Sequence, residues 1–195
     1  MNIDKTISKY NWIGVATFIF IIALAQVLTP VDYNWRDHTI SQLASQGYDK
    51  KWIMQVGFIL FGAILNIGIV LKLVTVPVKR GRMAAELLMM VYAGSIFMTG
   101  IFCEKPFIDG IEFSNLYAKI HSIFAMIAGI GFSVSILLFG LTAPTLKSRT
   151  IHLLFLAMVV GTSVIFGALD SNIGLIQRLL YFISFVWIVF FYNRW

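Results

Sequence analysis

An all-α, polytopic transmembrane bundle of about six helices, one integral membrane domain over residues 1–195, is the fold this sequence predicts, and three observations predict it. First, 59% of the residues are hydrophobic and only 12% charged, with a mean hydropathy of +0.86. A globular domain is about a quarter charged, so this chain lacks the polar side chains to coat a water-soluble particle. Second, the apolar residues fall in long blocks and not on alternating faces. Third, the period-two alternation of a membrane barrel is absent. Six spans of ~20 residues each use most of the chain.

The first apolar block runs from Trp12 to Leu28 and is stopped by Pro30. It follows Lys5 and Lys9 but ends without a small-residue cleavage site, which reads as a retained helix with signal-anchor character. The second runs from Trp52 to Val76 before Pro77, and the third from about Met83 to Cys103 before Pro106. The fourth spans Ile120 to Leu141, just before Pro144, the fifth Ile151 to Leu169 and the sixth Ile173 to Tyr192. Every proline lies outside a block, as continuous helices require. Trp12, Trp52, Tyr192 and Trp195 flank blocks where an amphipathic ring sits at headgroup level.

The net charge of +6 divides unevenly between alternate segments. Lys5, Lys9, Lys72, Lys79, Arg80, Arg82, Lys147, Arg149 and Arg194 fall in one set with only Asp4 and Glu86. Arg36, Lys50, Lys51, Lys105, Lys119 and Arg178 fall in the other with Asp32, Asp37, Asp49, Glu104, Asp109, Glu112 and Asp170. Basic loops stay cytoplasmic, so a multi-pass cell-membrane protein with both termini in the cytoplasm is expected. The VKRGR loop then faces anionic lipid, which accounts for a pI near 9.6 without nucleic acid.

Polar residues gather at the other end. In the connection PVDYNWRDHTISQLASQGYDKK, Thr39 and Gln42 fit a capping box and Gly47 a helix stop. The expected element is a short extracytoplasmic interfacial helix of about two turns. Its His38, Ser41, Gln42 and Ser45 would lie opposite Ile40, Leu43 and Ala44. Glu104 and His121 each stand at the edge of an apolar block, where an ionisable group needs a partner or a water-filled cavity. Arg178 lies inside the sixth block, placed to snorkel outward, to pair with Glu104 or Asp170, or to bind an anionic headgroup bidentately. His38, Ser41, Glu104, His121, Asp170 and Arg178 therefore share one membrane level. Arg82 and Glu86 have ion-pair spacing, and His152 is expected at the interface. Ala125, Gly129 and Ser133, with Gly161 and Gly167, form small-residue ridges for a neighbouring helix, a second copy or another membrane protein.

Familiar chemistry is thinly represented. One cysteine and three histidines give no close-spaced metal set, HExxH and GxSxG are missing, and no cofactor is named by any motif. Ser41, His121 and Asp170 or Glu104 supply the residue types of a serine hydrolase without showing its geometry.

HTISQLASQG followed by KKWIMQVGFILFG resembles the signature of a bacterial and archaeal membrane family, domain of unknown function 998 (DUF998). The resemblance implies about six helices, an ISxL element after the first, a histidine opening the fourth (His121 in KIHSIFAMIAG), and a glycine-to-arginine element opening the last (Gly174 to Arg178 in GLIQRLL). The family often carries an acidic residue before that arginine, where this chain has Gln177. The layout is distantly similar to Frag1/DRAM/Sfk1-type membrane proteins. No activity comes with either likeness.

The expectation for function is an outward-facing polar cavity binding a lipid headgroup or another amphiphile, with Arg178, His121, Glu104, Ser41, His38 and Asp170 as its contacts. An intramembrane lipid hydrolase or transferase, and a structural or accessory subunit, are the alternatives.

Overall fold

The computed structural model describes residues 3–192. The side chains of Asp4 and Lys5, together with Arg194 and Trp195, lie outside the described residues. The chain forms α1 (Ile3–Val27), α2 (Lys51–Thr75), α3 (Arg80–Ile101), α4 (Asn115–Leu141), α5 (Leu146–Ala168) and α6 (Ile173–Phe190), with a 3₁₀ turn at Ser41–Ala44. All six helices are long and apolar enough to cross a membrane, and the described residues contain no strand. Successive helices pack as neighbours and α6 returns to α1.

The first five helices start earlier than their apolar blocks, because polar first turns carry no hydropathy signal, while α6 starts at Ile173 as expected. The Ser114 side chain accepts from the Tyr117 N–H at 3.4 Å, so α4 begins at Asn115 and not Ile120. The Thr145 hydroxyl accepts from the Ser148 N–H at 3.2 Å and starts α5 at Leu146 in the same way.

The tightest helix contact is between α2 and α3. A Cβ on Gly62 would stand 2.5 Å from the Ala93 carbonyl oxygen, and one on Gly100 would stand 2.7 Å from that of Gln55. Small residues let the two backbones touch. The ridge glycines behave otherwise. Nothing lies within 4 Å of a Cβ built on Gly129, Gly161 or Gly167. Half of the α3 span is buried but only 22% of the α5 span, so α5 stands at the periphery.

At the end that carries the α2–α3 and α4–α5 connections, Glu86 is fully buried. The expected Arg82 partner is at 4.0 Å, but Lys72 is at 2.5 Å and the Tyr192 hydroxyl donates to the same carboxylate. Tyr192 is thus a buried hydrogen-bonding group and not an interfacial anchor, whereas Trp12 and Trp52 are exposed. His152 is also buried: its Nδ1 accepts from Trp187 Nε1 at 3.0 Å and joins α5 to α6.

The expected two-turn interfacial helix is replaced by one 3₁₀ turn, and all four of its residues are buried. The capping box does form. The Gln42 side-chain oxygen accepts from the Thr39 N–H at 2.8 Å, and the Thr39 hydroxyl accepts from the Gln42 N–H at 3.1 Å. Propagation stops because Ser45 turns extended and bridges Glu104, with the Gln46 N–H donating to the Glu104 carbonyl at 3.0 Å. Gly47 adopts φ +77°, three residues beyond the turn.

Candidate functional site

The α1–α2, α3–α4 and α5–α6 connections meet at the loop-rich end of the bundle. Gly174 brings the first of them onto α6, since a Cβ there would collide with the carbonyl oxygens of His38 and Trp35. One turn later Arg178 spreads its guanidinium under the same loop. Its Nη1 donates to the carbonyls of Trp35 at 2.7 Å, His38 at 3.1 Å and Gly174 at 2.9 Å. Its Nη2 donates to the Gln26 side-chain oxygen at 3.0 Å and the Tyr33 hydroxyl at 2.9 Å. The planar fork is matched to this many acceptors as a lysine would not be. Burial pushes the Tyr33 phenol pKa up, against the opposing charge of Arg178.

Gln177 completes the attachment. Its side-chain oxygen accepts from the Ile40 N–H at 2.6 Å and its nitrogen donates to the Ser41 hydroxyl at 3.3 Å. The Asp37 carboxylate accepts from the Asn172 N–H at 2.9 Å, at the start of α6. Tyr33, His38, Tyr48 and Phe107 pack their rings above in tilted and edge-on pairs, with centroids 5.4 to 5.9 Å apart. The result is a fixed roof.

Beneath it, His121 opens onto α3. Its Nδ1 is 2.8 Å from the Phe102 carbonyl oxygen and 3.1 Å from that of Thr99. Its Nε2 is 3.3 Å from Glu104 Oε2. His121 is 1% exposed, and the Glu104 side chain 16%. The other Glu104 oxygen accepts from the Lys105 N–H at 3.0 Å.

A cavity of about 830 Å³ begins at this pair and runs down between α4, α5 and α6. Ser41, Gln42, Glu104, Lys105, His121 and Gln177 line it at the loop-rich end. Ile130, Phe132, Val134, Val159 and Val160 line it farther along. Drug-sized ligands occupy pockets of roughly this size. Met126, Ile130, Val134, Val160 and Val164 are also exposed, so the opening faces sideways from the bundle. The ridge of Ala125, Gly129 and Ser133 therefore borders open space and seats no helix of this chain.

Of the six expected site residues, Ser41, Glu104 and His121 line the cavity. Arg178 and His38 belong to the roof and its attachment, and Asp170 is exposed on the α5–α6 connection. Arg178 meets neutral acceptors, and the carboxylate of Glu104 faces His121 in its place. Gln26 and Tyr33 were not expected as partners. Only the adjacency of Gln177 to Arg178 and the Thr39–Gln42 spacing pointed toward the docking of the loop. Among the described residues, no group of three or more His, Cys, Asp or Glu side chains is placed to hold a metal ion.

No curated protein and no solved structure matches the chain. The likeness to Frag1/DRAM/Sfk1-type proteins finds no counterpart in these comparisons. One family, described as "Protein of unknown function (DUF998)", matches residues 12–192, from within the first helix to just past the last. The chain belongs to the DUF998 family, as a six-helix member whose helices can all span a membrane.

Proposed function

We propose that this protein binds a lipid or another amphiphile in the cavity between α4, α5 and α6. The observation that carries the reading is the polarity gradient of that cavity. Its one end presents Ser41, Glu104, His121 and Gln177, and its length presents aliphatic side chains that open toward the lipid side. A headgroup needs hydrogen-bonding partners and an acyl chain needs apolar walls, and the two are arranged in that order. In this reading Arg178 and His38 act through the roof, and Asp170 has no part. The charge imbalance between the two ends supports placing the loop-rich end outside the cell membrane, with both termini cytoplasmic.

Gly129 supplies the test, because it lines the cavity and has open space around it. Gly129→Phe is expected to fill the chain-binding region without disturbing the helix packing. Protein purified in mild detergent would be extracted and its co-purifying lipid quantified by mass spectrometry. Wild type should carry lipid that the variant loses at an unchanged melting temperature. Equal lipid in both would overturn the reading.

A further inference from the structure

The contacts of His121 fix where its protons lie. Nδ1 faces two carbonyl oxygens, of Thr99 and Phe102, and a carbonyl oxygen can only accept. Nδ1 therefore carries a hydrogen. In the neutral ring Nε2 is then a bare lone pair, and it looks at Glu104 Oε2 from 3.3 Å. A lone pair against a carboxylate oxygen repels. Nε2 is buried and makes no hydrogen bond among the described residues, Glu104 included. Two acceptors thus face each other with no donor between them.

The surroundings set which ligand can supply that donor. The 41–44 turn and α6 bring neutral Ser41, Gln42 and Gln177 to the cavity, and α3 brings Thr99. The α2 face brings the Phe58 ring, 6.4 Å from the imidazole, and Lys51 acts on the neighbouring Cys103 thiol. Lys105 lines the same cavity but is exposed, so Glu104 is the more buried of its two charged groups. An anion would meet a carboxylate and a lone pair. An ammonium would meet two acceptors.

We propose that the cavity takes an ammonium-headed amphiphile whose N–H groups donate to the Glu104 carboxylate and to the unpartnered Nε2 of His121. This rests on the amphiphile reading above and names its headgroup. An anionic group farther along a zwitterionic head would meet Lys105.

The experiment is calorimetric titration of the full chain in maltoside micelles, against empty-micelle blanks, with decylammonium, decanol and decanoate. Decylammonium is expected to bind about tenfold or more tightly than either chain-matched probe. Glu104→Gln should abolish the preference, and Lys105→Gln should keep it. Gly129→Phe should weaken all three probes together. The wild-type ranking needs no variant, so a misfolded Glu104→Gln leaves the test intact. Equal binding of the three probes, blocked by Gly129→Phe, would overturn the headgroup assignment alone. Binding unaffected by Gly129→Phe, or no binding at all, would overturn the cavity reading with it.

Discussion

The Arg178 guanidinium donates to the Tyr33 hydroxyl at 2.9 Å, and this contact fastens the first loop to α6. Five acceptors share the same two nitrogens. Hydrogen bonds from a charged donor contribute ~1.5–3 kcal/mol each and are not additive. Arg178→Ala is therefore expected to cost about 3 kcal/mol, read as a lower melting temperature in detergent. Arg178→Lys should recover less than half, since an ammonium cannot reproduce the fork. A loss no larger than that of Asp170→Ala would contradict this role.

Gly174 and Gly161 make a matched pair. A methyl group on Gly174 would collide with the carbonyls of Trp35 and His38, while one on Gly161 would meet nothing within 4 Å. Gly174→Ala should cost about 1–3 kcal/mol by overpacking. Gly161→Ala should leave melting unchanged or raise it slightly, because alanine is the better helix former. Similar melting of the two variants would show that the loop does not press on α6.

At the opposite end Glu86 is a fully buried carboxylate paired with Lys72. Breaking a buried ion pair by removing one partner costs about 3–5 kcal/mol. Glu86→Ala should therefore lower melting more than Tyr192→Phe, which removes one hydrogen bond to a charged group worth about 1.5–3 kcal/mol. Circular dichroism melts in one detergent suffice to compare them.

Burial holds His38 below its ordinary value of 6.5, against the opposing pull of Asp37. Its Nδ1 accepts from the Asn34 N–H at 2.9 Å, which needs the neutral ring. The fold thus disfavours the charged form, so this contribution is present above about pH 6.5 and is lost as pH falls through the lower folded value. Melting measured from about pH 7.5 down to about pH 5 should fall less steeply in His38→Asn than in wild type.

Cys103 provides a quiet background for mapping orientation. It is the single cysteine, it is buried, and burial pushes its thiol pKa up against the lowering influence of Lys51. A cysteine at exposed Asp109 should react with an impermeant maleimide on intact cells, and one at exposed Arg80 only after lysis. The reverse pattern would invert the assignment of the two faces.

Trp52 to Val76 shows what kind of information the sequence carried well. The apolar block and the observed helix, Lys51–Thr75, agree to within one residue at each end. Lipid rewards continuous apolar runs, and that reward is local in the chain. The start of α4 differed because a polar cap lies outside any hydropathy signal. The clustering of Ser41, Glu104 and His121 was legible as shared depth. The partnership of Arg178 with Gln26 and Tyr33 was not, because those contacts depend on how separate segments dock. His152 misled for the same reason: position at a helix start says nothing about the Trp187 indole waiting across the gap.

The α1–α2 segment is pinned by α6 through Gln177 and Arg178 and by the next connection through Glu104 and Ser114, whose carbonyls accept from Gln46. Lifting it would sever all of these together. A visiting molecule therefore has its easier route through the flank, past Met126 and Val164, from within the surrounding leaflet. Whatever binds would never need to leave the hydrocarbon to arrive, and its abundance in the bilayer, more than in water, would govern how often the site is filled.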